Sequence, residues 1–200
     1  VAAHAYANSR VEGVTSSVNI NSSVVGDGTH GGLIAVVESG DVNIRNCVFD
    51  GTMTGEATNS CGGLVGWLSG KTDIYYCLQI GDIQVGTSGG HTWARTGDDN
   101  NRVLGWCAYL NGYGDTAADK TTAEKLASGE VCYWLTRGET ENPAWFQTLG
   151  VDTVPHVTPG ATVYYYNGEY INEKPNIQLN SYASSVNMKS DADNVEVTYT

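Results

Sequence analysis

The sequence has little positive charge. Ten Lys and Arg residues stand against 22 Asp and Glu residues, which leaves a formal net charge of −12. No run of Lys or Arg forms a basic patch, so phosphate backbones and anionic lipid surfaces would repel the chain. We therefore expect no nucleic-acid partner.

Long apolar segments are also missing. No window approaches the roughly 18 apolar residues that a membrane-spanning helix requires, so we expect no membrane insertion within this chain. The sequence begins at Val1, without an initiating Met, a signal peptide or a lipidation motif. We expect that targeting information has been cut away from it.

The short motifs of zinc sites are absent as well. The five Cys residues include no C-x-x-C pair and the four His residues are scattered singly, so a zinc site is not predicted. Serine is common in the predicted turns, and we predict no catalytic residue. We also predict no cofactor, although acidic turns offer weak candidate ligands for calcium. These are Asp98, Asp99, Asp191 and Asp193.

Glycine, tyrosine and β-forming residues dominate instead. Of 200 residues, 25 are Gly, 12 are Tyr and only four are Pro, and 40% of the chain is hydrophobic. This composition is typical of short strands separated by tight turns. It predicts an all-β fold with a substantial core.

A repeat of about 30 residues runs through the first half of the chain. GGLI at 31–34 recurs as GGLV at 62–65. After a one-residue slip, four positions recur 30 residues later: Gly40, Ile44, Cys47 and Gly51 match Gly70, Ile74, Cys77 and Gly81. A worn third copy keeps Gly89, Gly90, Leu104 and Cys107, and a partial first copy places Ile20 and Ser23 at the Ile and Cys positions.

This period predicts a parallel β-solenoid, in which equivalent residues of successive coils form columns. Ile44, Ile74 and Leu104 would form an inward ladder. The Cys column would be a ladder of buried thiols, because parallel neighbours point the same way and bridge poorly. The competing interpretation is an antiparallel sandwich in which the spacing is a coincidence.

The character of the chain changes near residue 115. We predict solenoid repeats over 1–114, a β-rich cap with one short helix over 115–160, and a hairpin with further strands over 161–200. Thr121 is the predicted N-cap of the helix and Gly129 its end. Strand-like segments at 131–135 and 144–157 would cover the open end of the stack, and Asn167-Gly168 predicts a type I′ hairpin.

Two segments resemble known bacterial sequences. GGLVG at 62–66, followed by I-x-x-C and a Gly, resembles the GLUG-type repeat of large bacterial surface proteins, although the copy at 31–35 ends in Ala35. Residues 127–157 resemble the closing segment that often follows such repeats in gut-bacterial surface proteins. The resemblance implies an extracellular parent protein with other domains, and it implies no catalytic residues.

Aromatic residues are the candidate binding residues. Tyr76 and Trp106 should be neighbours on consecutive coils, beside Tyr75, and Trp67 and Trp93 follow their Gly pairs at similar distances. If this column faces outward, it forms a platform for a sugar ring or for a pocket of a partner protein. If it faces inward, it is part of the core.

These observations predict a non-catalytic extracellular β-solenoid module of a bacterial surface protein. It would act as an adhesin, a stalk or a segment that binds a glycan or a host or bacterial surface protein. The alternative is a polysaccharide lyase or glycoside hydrolase, which requires grouped carboxylates. No two carboxylates share a column of the well-aligned coils, since Asp41 lies over Lys71 and Asp73 over Asn43.

Overall fold

The computed structural model describes residues 2–59, 61–85, 102–110, 118–176, 186–191 and 194–199. It forms a parallel β-solenoid of about three turns, as the repeat predicts. Its solenoid strands are β1 (Ala2–Ala5), β2 (Ser9–Glu12), β3 (Thr15–Ser16), β4 (Asn19–Asn21), β5 (Gly26–Asp27), β6 (Ile34–Val37), β7 (Asp41–Arg45), β8 (Val48–Phe49), β9 (Thr52–Gly55), β10 (Thr58–Asn59), β11 (Val65–Leu68), β12 (Lys71–Tyr75), β13 (Leu78–Gln79), β14 (Asp82–Val85), β15 (Arg102–Gly105), β16 (Ala108–Tyr109) and β17 (Asp119–Lys120).

Equivalent strands of successive turns pair in parallel and form the walls of the solenoid. One wall is the sheet β2–β7–β12–β15, and the next along the chain is the sheet β3–β8–β13–β16–β17. Sheets β1–β6–β11, β4–β9–β14 and β5–β10 complete the circuit. The corner between the first two walls positions the candidate site.

The predicted core ladder is confirmed. Side chains of β7 and β12 alternate between buried and partly exposed, as expected for strands with one face toward the core. Ile74 pairs with Ile44 on one side and with Leu104 on the other. Ile44 and Ile74 are fully buried, and Leu104 packs against the same core.

The predicted alignment of the first coil is wrong. Ile44 pairs with Val11, and Ile20 pairs with Met53 instead. Along the β2–β7–β12–β15 wall, equivalent residues of the first and second turns are 33 residues apart, as in the contact between Asp41 and Asn8. The 30-residue spacing between later turns therefore does not hold between the first two. Ser23 is exposed and does not occupy a cysteine position.

The cysteine column is a ladder of buried free thiols, as predicted. Cys47, Cys77 and Cys107 are each at most 1% exposed, and all are unbridged. The Cys77 thiol lies 3.9 Å from the Ile44 carbonyl of the preceding turn. Burial raises the pKa of Cys77 well above its usual value, whereas a hydrogen bond with the Cys77 thiol lowers the pKa of Cys47. All three thiols are buried, so they act as small core side chains.

Phe49 fills the core beside positions that only glycine can occupy. A Cβ atom added at Gly32 or at Gly81 would overlap the ring of Phe49. At Gly32 it would also overlap the carbonyl of Gly63 on the next turn. The repeated glycines of this wall therefore make room for a buried aromatic ring and for close approach of the turns.

The cap contains two short helices where one was predicted. Helix α1 (Ala123–Ala127) begins after Thr122, whose hydroxyl accepts a hydrogen bond from the Lys125 N–H; the predicted N-cap, Thr121, is one residue early. Helix α2 (Glu130–Thr136) replaces the predicted strand at 131–135. Gly129, at φ 89°, separates the helices.

Within the described residues, no helix has the length and apolar content to cross a membrane.

The cap packs along the side of the solenoid. Val48, Leu78 and Ala108 form an apolar column on three successive turns. They share one buried cluster with cap residues, namely Leu126, Val131, Cys132, Leu135, Trp145 and Val163. Strand β17 also extends the same sheet at the end of the stack, so the cap covers a lateral face as well as continuing the solenoid.

Beyond the helices, the chain forms local antiparallel pairs. The segment 144–157 contains a single bridge, between Phe146 and His156, where longer strands were predicted. Strands β18 (Tyr164–Tyr166) and β19 (Glu169–Ile171) form the predicted two-residue hairpin, with positive φ at Asn167 and Gly168. Strands β20 (Val186–Asp191) and β21 (Asn194–Tyr199) form another antiparallel pair.

Candidate binding cleft beside the solenoid corner

The corner after β7, β12 and β15 has an unusual backbone. Asn46, Tyr76 and Trp106 occupy equivalent positions and have φ of 51°, 57° and 55°. The Asn46 N–H donates to the Tyr75 carbonyl at 3.2 Å, and the Tyr76 N–H donates to the Gly105 carbonyl at 3.1 Å. Asn tolerates left-handed backbone, whereas bulky aromatic residues rarely adopt it. Aromatic residues at this corner are therefore locally unfavourable, which is typical of functional positions.

The aromatic column faces outward. Tyr75 and Tyr76 are half-buried and Trp106 is 41% exposed, so the interpretation that this column is core is wrong. The Tyr75 and Tyr76 rings lie 5.9 Å apart. Trp67 lies in β11, opposite Val36, and so belongs to another wall. Trp93 lies outside the described residues.

Tyr75 is held by its neighbours on the adjacent turns. The Arg45 guanidinium lies 4.9 Å from the centre of the Tyr75 ring. On the other side, a Cβ atom at Gly105 would lie 2.7 Å from the ring. The ring is thus stacked between an arginine and a bare backbone, which fixes its orientation.

Trp106 forms one side of a cleft against the cap. Its ring centre lies 5.3 Å from that of Trp134, with the planes tilted by 48°. Helix α2 presents Glu130, Tyr133 and Trp134 at spacings of three and four residues, which places them on one face. The cleft has a volume of about 460 Å³. Its lining residues are Trp106, Glu130, Tyr133, Trp134, Arg137, Gly138 and Tyr170.

A cluster of tyrosines supports the outer side of this cleft. Tyr133 contacts Tyr165 and Tyr170 from the β18–β19 hairpin, at ring-centre distances of 5.9 and 5.8 Å. Tyr165 and Tyr170 lie 4.9 Å apart. Burial raises the pKa of Tyr170 above its usual value, so its hydroxyl is neutral at physiological pH and can donate a hydrogen bond.

The charged groups of the cleft differ in their surroundings. Glu130 accepts a hydrogen bond from the Lys125 ammonium at 2.7 Å, and this pair raises the pKa of Lys125. The Arg137 guanidinium lies 5.0 Å from the centre of the Trp106 ring. Arg137 ends α2 with φ 55°, and its N–H donates to the Trp134 carbonyl. The end of the helix therefore places this cation against the corner tryptophan.

A smaller cleft lies on the other side of Arg137. It has a volume of about 200 Å³, and Asn46, Tyr76 and Ala144 are among its lining residues. Nearby, the fully buried Trp145 donates from Nε1 to the Asn46 Oδ1 at 3.3 Å. This contact joins the cap to the second turn of the solenoid.

The carboxylates of the β7–β12 wall are arranged as the sequence alignment predicted. Asp41 pairs with Lys71, and Asp73 pairs with Asn43. Among the described residues, no group of three or more His, Cys, Asp or Glu side chains is arranged to hold a metal ion. Asp98, Asp99 and Asp193, all calcium candidates, lie outside those residues. Asp191 ends β20, where it pairs with Asn194.

The sequence did not indicate that α2 contributes to this site. Tyr133, Trp134 and Arg137 lie in the segment interpreted as a strand, and Tyr170 lies in the hairpin. A helical interpretation of 130–137 would have placed Glu130, Tyr133, Trp134 and Arg137 on one face.

In comparisons with known proteins, no family model, no curated protein and no solved structure matches the chain.

Proposed function

We propose that this chain is a non-catalytic, extracellular β-solenoid module of a bacterial surface protein that binds a glycan in the cleft between Trp106 and α2. The observation that carries the proposal is the exposed tryptophan at a left-handed corner, opposite Trp134. Sugar rings present flat C–H faces that pack on aromatic rings, and their hydroxyls need nearby polar groups. The cleft offers both kinds of contact, from Trp106, Trp134, Tyr133 and Tyr170.

The solenoid gives this site a rigid support. Trp106 and Tyr76 are attached to hydrogen-bonded turns, and α2 is attached to the same turns through the apolar cluster around Leu78 and Leu135. Both sides of the cleft are therefore held before a ligand arrives, which reduces the entropy lost on binding. A display role as an adhesin or a stalk segment fits such a support.

The test is a glycan array followed by titration of each hit with the purified chain. Trp106→Asn should abolish binding, because it removes the stacking ring while suiting the left-handed backbone. Trp67→Phe is the matched control, since it alters a tryptophan of another wall and should leave affinity unchanged. Absence of any ligand at all concentrations would reduce the module to a spacer.

The alternative, a carbohydrate-active enzyme, is examined with the same ligands. Glycoside hydrolysis uses two carboxyl groups, and Glu130 is the one carboxylate that lines the cleft within the described residues. Release of reducing ends from a bound glycan, and its loss in Glu130→Gln, would favour the enzyme. Binding without release supports the proposed module.

Protease treatment of intact producing cells tests the surface location.

A further inference from the structure

Arg137 has no acidic partner among the described residues, although the chain as a whole is strongly acidic. Its guanidinium lies over the Trp106 ring, and the side chain is exposed to solvent. Within the described part of the chain, no carboxylate forms an ion pair with it. A cation is thus kept available at one particular place, although the net charge of the chain is −12.

The described carboxylates near the cleft have other partners. Glu130 is paired with Lys125 at 2.7 Å. Glu139, which lines the smaller cleft, accepts hydrogen bonds from the backbone N–H groups of Glu141 and Asn142 through one oxygen. The charged lining residues of the larger cleft are Glu130 and Arg137 among the described residues, and Lys125, outside the lining, pairs with Glu130.

The chemistry of arginine then defines the ligand. The Arg137 guanidinium lies over the Trp106 ring, 5.0 Å from its centre. The N–H groups around the edge of a guanidinium can donate in parallel to two oxygens of a carboxylate or a sulfate. A neutral sugar would leave this cation without a counter-charge. We propose that the cleft selects a glycan that bears an anionic group, and that Arg137 binds that group while Trp106 and Trp134 contact the sugar ring.

This inference rests on the glycan-binding function proposed above, and its test separates the two. Trigalacturonate, its fully methyl-esterified form and a sulfated heparin disaccharide are titrated by isothermal calorimetry. The wild-type chain should bind an acidic probe about tenfold or more tightly than the neutral ester, since charge-assisted hydrogen bonds are lost in the ester. The heparin disaccharide carries a carboxylate as well as sulfates, so tight binding of trigalacturonate shows that a carboxylate suffices.

Two variants assign the effect to this residue. Arg137→Gln should lower affinity for the acidic probe about tenfold or more and remove the preference over the ester. Arg45→Gln is the matched control, because it removes an arginine stacked on Tyr75 in the same corner region but outside the cleft. Glu130→Gln should increase affinity for the acidic probe a few-fold, because it leaves Lys125 unpaired. Thermal unfolding of each variant verifies that it folds.

The outcomes are distinct. Equal affinities for acid and ester, unchanged in Arg137→Gln, would overturn the anion preference and leave glycan binding standing. Failure of every probe and every array glycan to bind would overturn the proposed function itself. A preference for acid that Arg45→Gln abolishes and Arg137→Gln retains would also contradict the assignment to Arg137.

Discussion

Replacement of Trp106 tests whether an aromatic residue with left-handed backbone at this corner lowers the stability of the fold. Trp106→Asn and Trp106→Ala both remove the ring contact with Trp134, worth about 0.5–1.5 kcal/mol, and the contact with Arg137, worth about 0.5–1 kcal/mol. The two variants differ in backbone preference. At φ 55° the left-handed region costs Ala about 1–2 kcal/mol, and Asn tolerates it.

We therefore expect Trp106→Asn to be about 1 kcal/mol more stable than Trp106→Ala, and close to the wild type, because relief of strain offsets the lost contacts. Urea unfolding followed by far-UV circular dichroism measures the difference without relying on tryptophan emission. Tyr166 is the matched control position, since it is 42% exposed but lies in the extended strand β18. There Asn should give no advantage over Ala. An Ala variant at 106 as stable as the Asn variant would refute the strain argument.

Three further predictions concern other parts of the fold. Burial raises the pKa of Cys132 to about 12 and that of Cys77 well above its usual value, so neither should react with a thiol reagent at pH 8 until denaturant is added; reaction in the native state would contradict their burial. Trp145→Phe should cost more than about 1 kcal/mol in urea unfolding, because Asn46 loses its indole donor and the fully buried indole leaves a cavity; unchanged stability would contradict both contributions. A hydrogen bond from the Thr148 N–H holds the pKa of the Asp152 carboxyl below its usual range in the folded protein. The ionised carboxylate therefore stabilises the fold at pH values above the pKa that Asp152 has in the unfolded chain. This stabilisation is lost as the pH falls through the lower pKa of the folded state. Asp152→Asn should accordingly destabilise at pH 7 and not at low pH, and a difference independent of pH would argue against the ionised carboxylate.

The repeat predicted the solenoid because its core positions obey a strict spatial rule. Ile44, Ile74 and Leu104 must pair across adjacent turns for their side chains to share one interior, so their sequence spacing records a contact. The first turn shows where this reasoning ends. Val11 takes the inward position although its offset from Ile44 is different, because single extra residues at several corners change the spacing without disturbing the ladder.

The cap and the corner lay beyond the same reasoning. The apolar run at 131–135 is too short for its period to distinguish a strand from a helix, and the left-handed Gly129 before it allows the second helix to begin. The direction of Tyr76 and Trp106 was equally undetermined. Both residues follow the end of a strand, where alternation stops, so only the backbone of the turn decides which way their side chains point.

The central claim is that the cleft between Trp106 and α2 binds a glycan. Isothermal titration of the strongest array ligand into the wild-type chain and Trp106→Asn tests it most directly. Our account predicts saturable binding to the wild type and no binding heat with Trp106→Asn. The urea midpoint of this variant should match that of the wild type, which shows that the loss of binding is not a loss of folding. Equal affinity of the two proteins for that ligand would contradict it.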